Sequence, residues 1–390
     1  MANEGLAQTS NTLFNVAFLA YIAAMVAYFF RLAFTRVSAD GVVASTAAGR
    51  RVGLVGTVIA VLGWAVHVGS VTTRGLAAGR VPWANMYEYS SLLALVAVAV
   101  ALVVVERRMG YGHLVGFILA AAVLSMTTGL LLFTPAGPVV PALNSYWIKI
   151  HTSAAMAASS IFIVGFVATA LYLVKDAAER RVADQSSFTG STVGAAHVDA
   201  PAEGPGSAGP SLRPEGYEAD GGLDEHAIAS PLAQREVLSP VFFPLVPGVV
   251  VTLFVLAVWR APGAAIIAGS AAALLGTASW YAVPYLPPAA KLDNLAYRTI
   301  AFAFPIWTFA IMAGAIWAEE AWGRYWGWDP KETGSFFTWV LYASYLHARS
   351  THGWRGRRAG WIGIIAFGAL MVTYYAVNLW IVGLHSYAKA

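Results

Sequence analysis

An all-α polytopic membrane bundle of about ten transmembrane helices is the fold class this sequence predicts, on three observations. Hydrophobic residues fill 58% of its 390 positions and charged residues only 11%, against about 25% charged in a typical soluble domain. The apolar residues gather in runs close to the roughly 20 residues a helix needs to cross a bilayer. Basic residues sit at the ends of these runs rather than in one patch. So few charges cannot cover a water-exposed surface of this size, which excludes soluble enzymes. The scattered basic residues exclude a nucleic-acid-binding module.

Ten runs qualify in chain order: 12–31, 53–73, 88–105, 113–133, 150–174, 241–259, 262–283, 299–318, 334–349 and 360–382. No Lys or Arg precedes Arg31, and no small-residue cleavage site follows the first run. It therefore reads as a retained helix rather than a signal peptide. Pro244, Pro247 and Pro262 interrupt the pair 241–283, and Pro284, Pro287 and Pro288 end it. Without that pair the count is eight. The run 334–349 is short, and its ends are expected to extend into the polar residues on either side.

Orientation follows from the Lys/Arg bias of the short connections. With the amino terminus outside, the inner connections hold Arg31, Arg36, Arg50, Arg51, Arg107, Arg108, Lys175, Arg180, Arg181, Lys291, Arg298, Arg349, Arg355, Arg357 and Arg358. The outer ones hold Arg74, Arg80, Lys149, Arg260, Arg324, Lys331 and Lys389. The bias puts both termini outside the cell membrane, and losing two spans changes nothing. Residues 182–236 are rich in Gly, Pro and Ser and carry nine Asp/Glu against Arg213 and Arg235. They cannot bury enough apolar surface to fold alone. Taking their −7 from the overall +4 leaves a membrane body at +11. The chain thus divides into a first membrane part (1–181, five helices), a disordered acidic cytoplasmic loop (182–240) and a second membrane part (241–390, five helices). The second part carries an external loop at 317–335.

That loop holds the most unusual stretch, from Trp317 to Glu332. Trp322 and Trp326 are four apart, on one face if helical, and Trp328 and Asp329 follow. An interfacial aromatic belt is the bland alternative, but belt tryptophans scatter over many helices and these cluster in one loop. They also alternate with Gly323, Gly327 and several charges. Flat faces, glycine clearance and fixed charges suit a large planar ligand with acidic groups, and haem is such a ligand.

The histidines place the iron. His197 and His226 fall in the acidic loop, and His113 and His352 sit at inner helix ends without an assigned role. His151, at the outer start of the fifth run, and His385, beyond the outer end of the tenth, share the face of the Trp loop. Two imidazoles beside an aromatic platform can supply both axial ligands. His347 lies near the inner end of the ninth run. His67 lies within the second, about five residues from its outer end, or roughly 8 Å of depth. In a hydrocarbon core about 30 Å thick the two are too far apart to share one iron. If His347 binds haem, its opposite ligand comes from another polypeptide. His67 is not assigned to iron.

The segment Trp322-Gly-Arg-Tyr-Trp-Gly-Trp-Asp-Pro-Lys-Glu332 resembles the tryptophan-rich signature of the WWD haem-handling proteins of cytochrome c biogenesis. Pro82-Trp-Ala-Asn-Met-Tyr-Glu88, His347-Ala-Arg349, Gly353-Trp-Arg-Gly356 and the stretch Asn378–Tyr387 extend the resemblance over nearly the whole membrane body. It is greatest to the CcsA/ResC type of system II. The acidic loop and 241–283 depart from the compact pattern. The resemblance implies transport or presentation of haem b and its covalent attachment to apocytochrome c, as one subunit of a haem lyase. It implies His151 and His385 as external ligands, His347 as an intramembrane ligand, and Trp322, Trp326, Trp328 and Asp329 as the haem platform. The implied partners are a ResB-like subunit, apocytochrome c and a thioredoxin-like thiol reductant, the last because the chain has no Cys. A transporter or lipid flippase also explains many spans, but not the clustered tryptophans with two outer histidines. An electron-transfer subunit calls for histidine pairs at matched depth, which His67 and His347 do not provide.

Overall fold

A computed structural model describes residues 3–37, 43–138, 143–192, 233–260, 262–351 and 353–385. Among these residues twelve α-helices run α1 Glu4–Ala33, α2 Ala47–Ala78, α3 Met86–Val100, α4 Gly112–Leu131, α5 Tyr146–Thr192, α6 Ala233–Glu236, α7 Phe242–Trp259, α8 Pro262–Ala282, α9 Ala289–Trp322, α10 Pro330–Ser350, α11 Arg357–Met371 and α12 Val377–Trp380. π-helical turns continue α3 through Ala101–Arg108 and join α11 to α12 through Val372–Ala376. Each expected run lies on a helix. Among the described residues, eight helices are long and apolar enough to cross a membrane, α8 included, while α7 is shorter and α10 is not among the eight. The chain is a multi-pass membrane protein. One small antiparallel hairpin, Thr35–Val37 with Val43–Ser45, interrupts the all-helical pattern between α1 and α2.

The helices extend further than hydropathy alone suggests, because backbone hydrogen bonding does not stop at the edge of an apolar run. At the start of α2, the Thr46 side chain accepts from the Gly49 amide, the usual way to satisfy an orphan helix donor. Pro262 sits at the first position of α8, where a missing N–H costs nothing. The largest extension is α5, which passes the expected loop boundary at 181 and continues to Thr192. Polar residues support its C-terminal part: Arg180 pairs with Asp176 one turn earlier at 3.0 Å, and Arg181 donates to the Val237 carbonyl. The helix therefore runs past the expected loop boundary at 181, and residues 193–232, with His197 and His226, lie outside the described residues. His352 does too.

α5 packs along α9 at the centre, α1 along α2 and α7 along α8. One buried cluster joins α1, α3, α4, α5 and the first half of α9, and a second joins α5, α9, α10 and α11. The outward faces of these helices carry exposed Leu19, Leu62, Ile267, Leu274, Phe302 and Met312, as a bundle solvated by lipid requires. A buried and a half-buried polar side chain are tied into the bundle by hydrogen bonds. His67, fully buried, meets the Tyr21 hydroxyl through Nδ1 at 3.3 Å and the Ser91 hydroxyl through Nε2 at 2.8 Å. Both its nitrogens are engaged within α1–α3, away from α10 and His347. Glu106 accepts from Tyr28 at 2.6 Å and from Thr57 at 2.8 Å.

At the end of the bundle opposite Arg107 and Arg349, one carboxylate ties two connections together. Glu88 accepts from Arg74 Nε at 3.0 Å, from Arg80 at 2.8 and 3.1 Å, and from the Ala84 amide at 2.9 Å. The same arginines donate to the Thr134 and Gly137 carbonyls in the α4–α5 connection. This clamp fixes the wall of the cavity described next.

Candidate functional site

At that end a cavity of about 850 Å³ opens between α2, α3, α5, α9, α10 and the α11–α12 rod, within the upper range of small-molecule sites. Its lining brings together His151, His385, Trp83, Trp307, Trp317 and Trp326. Tyr89, Tyr374, Lys331, Glu332 and Asn378 also line it. The π-helical turn Val372–Ala376 carries Thr373 and Tyr374, and such turns often re-aim side chains at functional sites.

Both histidines are oriented from behind. His151 stands in the second turn of α5, and its Nδ1 is 2.7 Å from the Ala310 carbonyl of α9. A carbonyl only accepts, so Nδ1 carries the proton and Nε2 keeps its lone pair. The close approach depends on Gly314: a Cβ there would lie 2.6 Å from His151 Nδ1. His385 Nδ1 is 2.7 Å from Asp329 Oδ2, while the Leu384 amide donates to Asp329 Oδ1 at 2.7 Å. A Cβ on Gly383 would sit 2.7 Å from the same carboxylate. Among the described residues neither Nε2 has a hydrogen-bond partner. A carboxylate or carbonyl on one imidazole nitrogen, with the other free, is the usual arrangement behind a metal ligand.

Asp329 is held firmly because it begins a helix. It caps α10, with Pro330 at the first helical position and Glu332 closing a capping box, a pattern written in Asp329-Pro-Lys-Glu332. Glu332 accepts from the Gly327 amide at 2.8 Å and the Asp329 amide at 3.0 Å, and faces Arg324 at 3.3 Å. The capping box thus shapes the Trp loop as well as the helix. Burial disfavours ionisation of Asp329, but the His385 and backbone hydrogen bonds outweigh it and lower its pKa. Burial first, and the Lys331 charge second, lower His385 to about 4 against the pull of Asp329.

The four tryptophan-loop residues named from sequence take different places. Trp326 lines the cavity. Trp322 does not, but meets His385 edge-on at 4.8 Å and Trp317 at 4.7 Å, supporting the imidazole from the side. Trp328 points outward, 63% exposed, with a left-handed φ of 57°, and its edge contacts are Trp326 and Phe336. Asp329 works from behind His385. His347 lies elsewhere: along α10 it is about 24 Å from Lys331 at roughly 1.5 Å per residue, exposed near the C-terminal end of the helix. Phe337, Ser344 and His347 share the exposed face of α10.

Sequence reasoning singled out Trp317, Lys331 and Glu332 only as members of the Trp loop, with a Lys or Arg of that loop available to an acidic ligand, and missed Trp307, Tyr89 and Tyr374 as lining residues. Only the Pro82–Glu88 and Asn378–Tyr387 stretches pointed to the remaining walls.

Replacing Asp329 with alanine removes the orienting carboxylate and the α10 cap. We expect helix stability to fall by about 1 kcal/mol and the affinity of His385 Nε2 for a metal centre to fall about 10–100-fold. Thermal unfolding and metal-centre titration of the same variant separate the two effects.

Comparison with known proteins gives one family. The signature described as cytochrome C assembly protein matches residues 83–385. A cytochrome c biogenesis protein CcsA from Rippkaea orientalis is 33% identical over 86% of this chain and 87% of its own length. CcsA proteins from Synechococcus sp. strain JA-2-3B'a(2-13) and Gloeobacter violaceus are each 32% identical. The first covers 99% of this chain and 97% of its own length, the second 96% and 94%.

Proposed function

This chain belongs to the cytochrome c assembly family, as a CcsA-type protein of system II cytochrome c maturation, and from that premise we propose that the cavity between His151 and His385 receives haem b as cargo and presents it to apocytochrome c. The observation that carries this reading is the pair of rear-oriented imidazoles on one tryptophan-lined cavity. Both keep a free Nε2, so both are ready to bind iron without losing a proton. Trp326, Trp317 and Trp307 provide flat apolar surface for the macrocycle. Trp322 and Asp329 hold His385 in place.

The chain acts, in this reading, as one subunit of a haem lyase. Covalent attachment adds each substrate thiol across a haem vinyl group, forming one C–S and one C–H bond with no net redox change. Holding iron and ring in a fixed pose supplies proximity and orientation. The substrate's own histidine then displaces one of the two external ligands and helps release the product. Without a Cys of its own, the chain leaves the thiols to the apocytochrome and their reduction to a thioredoxin-like protein. His347, on the exposed face of α10, takes haem on the cytoplasmic side of the plasma membrane together with a ligand from a ResB-like subunit. The cavity, the Trp loop and both termini are extracytoplasmic.

Purification of the chain with its ResB-like partner tests the reading. The reduced complex should show b-type haem absorption, and a folded complex with bound lipid but no haem supports a flippase instead. The pH dependence is a second test. The folded value of His385, about 4, lies below the ordinary 6.5. Its neutral form therefore contributes stability that is complete above pH 6.5 and is lost as pH falls towards 4. Haem ligation should persist at pH 5, where an unburied imidazole is mostly protonated, and fail below about 4 in a spectral titration.

A further inference from the structure

Lys331 stands in a place that disfavours a cation. It occupies the first turn of α10, where the helix dipole repels positive charge. It also lines the cavity beside two histidines. The nearby carboxylates are engaged elsewhere: Asp329 accepts from His385 and the Leu384 amide and acts on Lys331 only from beyond 4 Å, Glu332 pairs with Arg324, and Glu88 pairs with Arg80. Among the described residues no carboxylate lies within 4 Å of its Nζ, whose hydrogen bond at 3.0 Å goes to the neutral Asn378 Oδ1. The Asn378 amide is itself oriented, because its Nδ2 donates to the Tyr374 carbonyl. Nζ therefore has further N–H donors to offer into the cavity. A partly desolvated ammonium with a single neutral partner is stabilised when an anion joins it.

We propose that Lys331, positioned by Asn378, is the subsite that takes a carboxylate of the bound macrocycle, and so sets which edge of it faces the α10–α12 wall. This rests on the haem reading above. The carboxylate is a propionate, the anionic group that haem carries. The two propionates share one edge of the ring, and the vinyl groups lie away from it. Pairing a propionate with Lys331 therefore turns the vinyl edge away from α10 and α12. His151 and His385 fix the iron, and Lys331 fixes rotation about the axis through it.

The test compares haem with haem dimethyl ester, whose propionates carry no charge, on the full-length chain in lipid nanodiscs. Wild type should bind haem about tenfold or more tighter than the ester, as expected for one charge-assisted hydrogen bond. Lys331→Met should bind both at the weaker level and lose the discrimination, while Lys331→Arg should retain most of it. An unchanged low-spin spectrum of the ester on Lys331→Met would show that fold and iron ligation are intact. Equal binding of haem and ester by wild type, or full discrimination by Lys331→Met, overturns the Lys331 assignment and leaves the haem reading standing. Failure of wild type to bind either macrocycle overturns both.

Discussion

Replacing His151 or His385 with alanine is expected to abolish cytochrome c maturation, with exogenous imidazole restoring part of it. Each ring presents a free Nε2 to the same cavity and is oriented through Nδ1, by the Ala310 carbonyl or the Asp329 carboxylate. Alanine removes the ligand and leaves a space that free imidazole fits. The supporting groups stay in place, so the defect lies at the iron rather than in the fold. The check is holocytochrome yield in cells making each variant, with and without imidazole. Normal yield in both variants contradicts the ligand assignment. His67→Ala sets a useful contrast. Its two nitrogens bond Tyr21 and Ser91, so its loss should lower stability without an imidazole-dependent rescue.

The second large effect is expected at Glu88. Its side chain is fully buried between Arg74 and Arg80, with Arg74 also buried. Glu88→Ala leaves two guanidinium groups without their carboxylate. Breaking a buried pair from one side costs about 3–5 kcal/mol, a large share of a typical stability of about 5–15 kcal/mol. The lost clamp also frees residues 80–86, which line the cavity. Thermal unfolding should shift strongly downward, and limited proteolysis should cut near residues 79–86. An unchanged unfolding midpoint contradicts the clamp. Glu88→Gln should fall between, because it keeps an acceptor but loses the charge.

The elements that were legible in the sequence are those governed by local chemistry. Apolar runs near 20 residues became helices, and Asp329-Pro-Lys-Glu332 became the capped start of α10. The placement of His151 and His385 at one end followed from counting spans and reading the arginine bias. What could not be read was what depends on contacts between distant segments. Nothing in the spacing of Trp322, Trp326 and Trp328 says that only Trp326 lines the cavity while Trp328 turns outward. The Asp329–His385 pair joins residues 56 apart in the chain. Lys331 gains meaning only beside Asn378, which the α11–α12 rod brings to it. The helical extension of α5 past residue 181 went unread for a different reason: its C-terminal part rests on ion pairs such as Asp176–Arg180, which hydropathy does not register.

The most direct measurement is the electron paramagnetic resonance spectrum of ferric haem bound to the full-length chain, recorded for wild type, His151→Ala and His385→Ala. Two imidazoles on one iron give a six-coordinate low-spin signal in wild type. Each single variant should convert to high-spin or lose haem, and added imidazole should return the low-spin signal. A wild-type low-spin signal that persists unchanged in either variant contradicts joint ligation by His151 and His385.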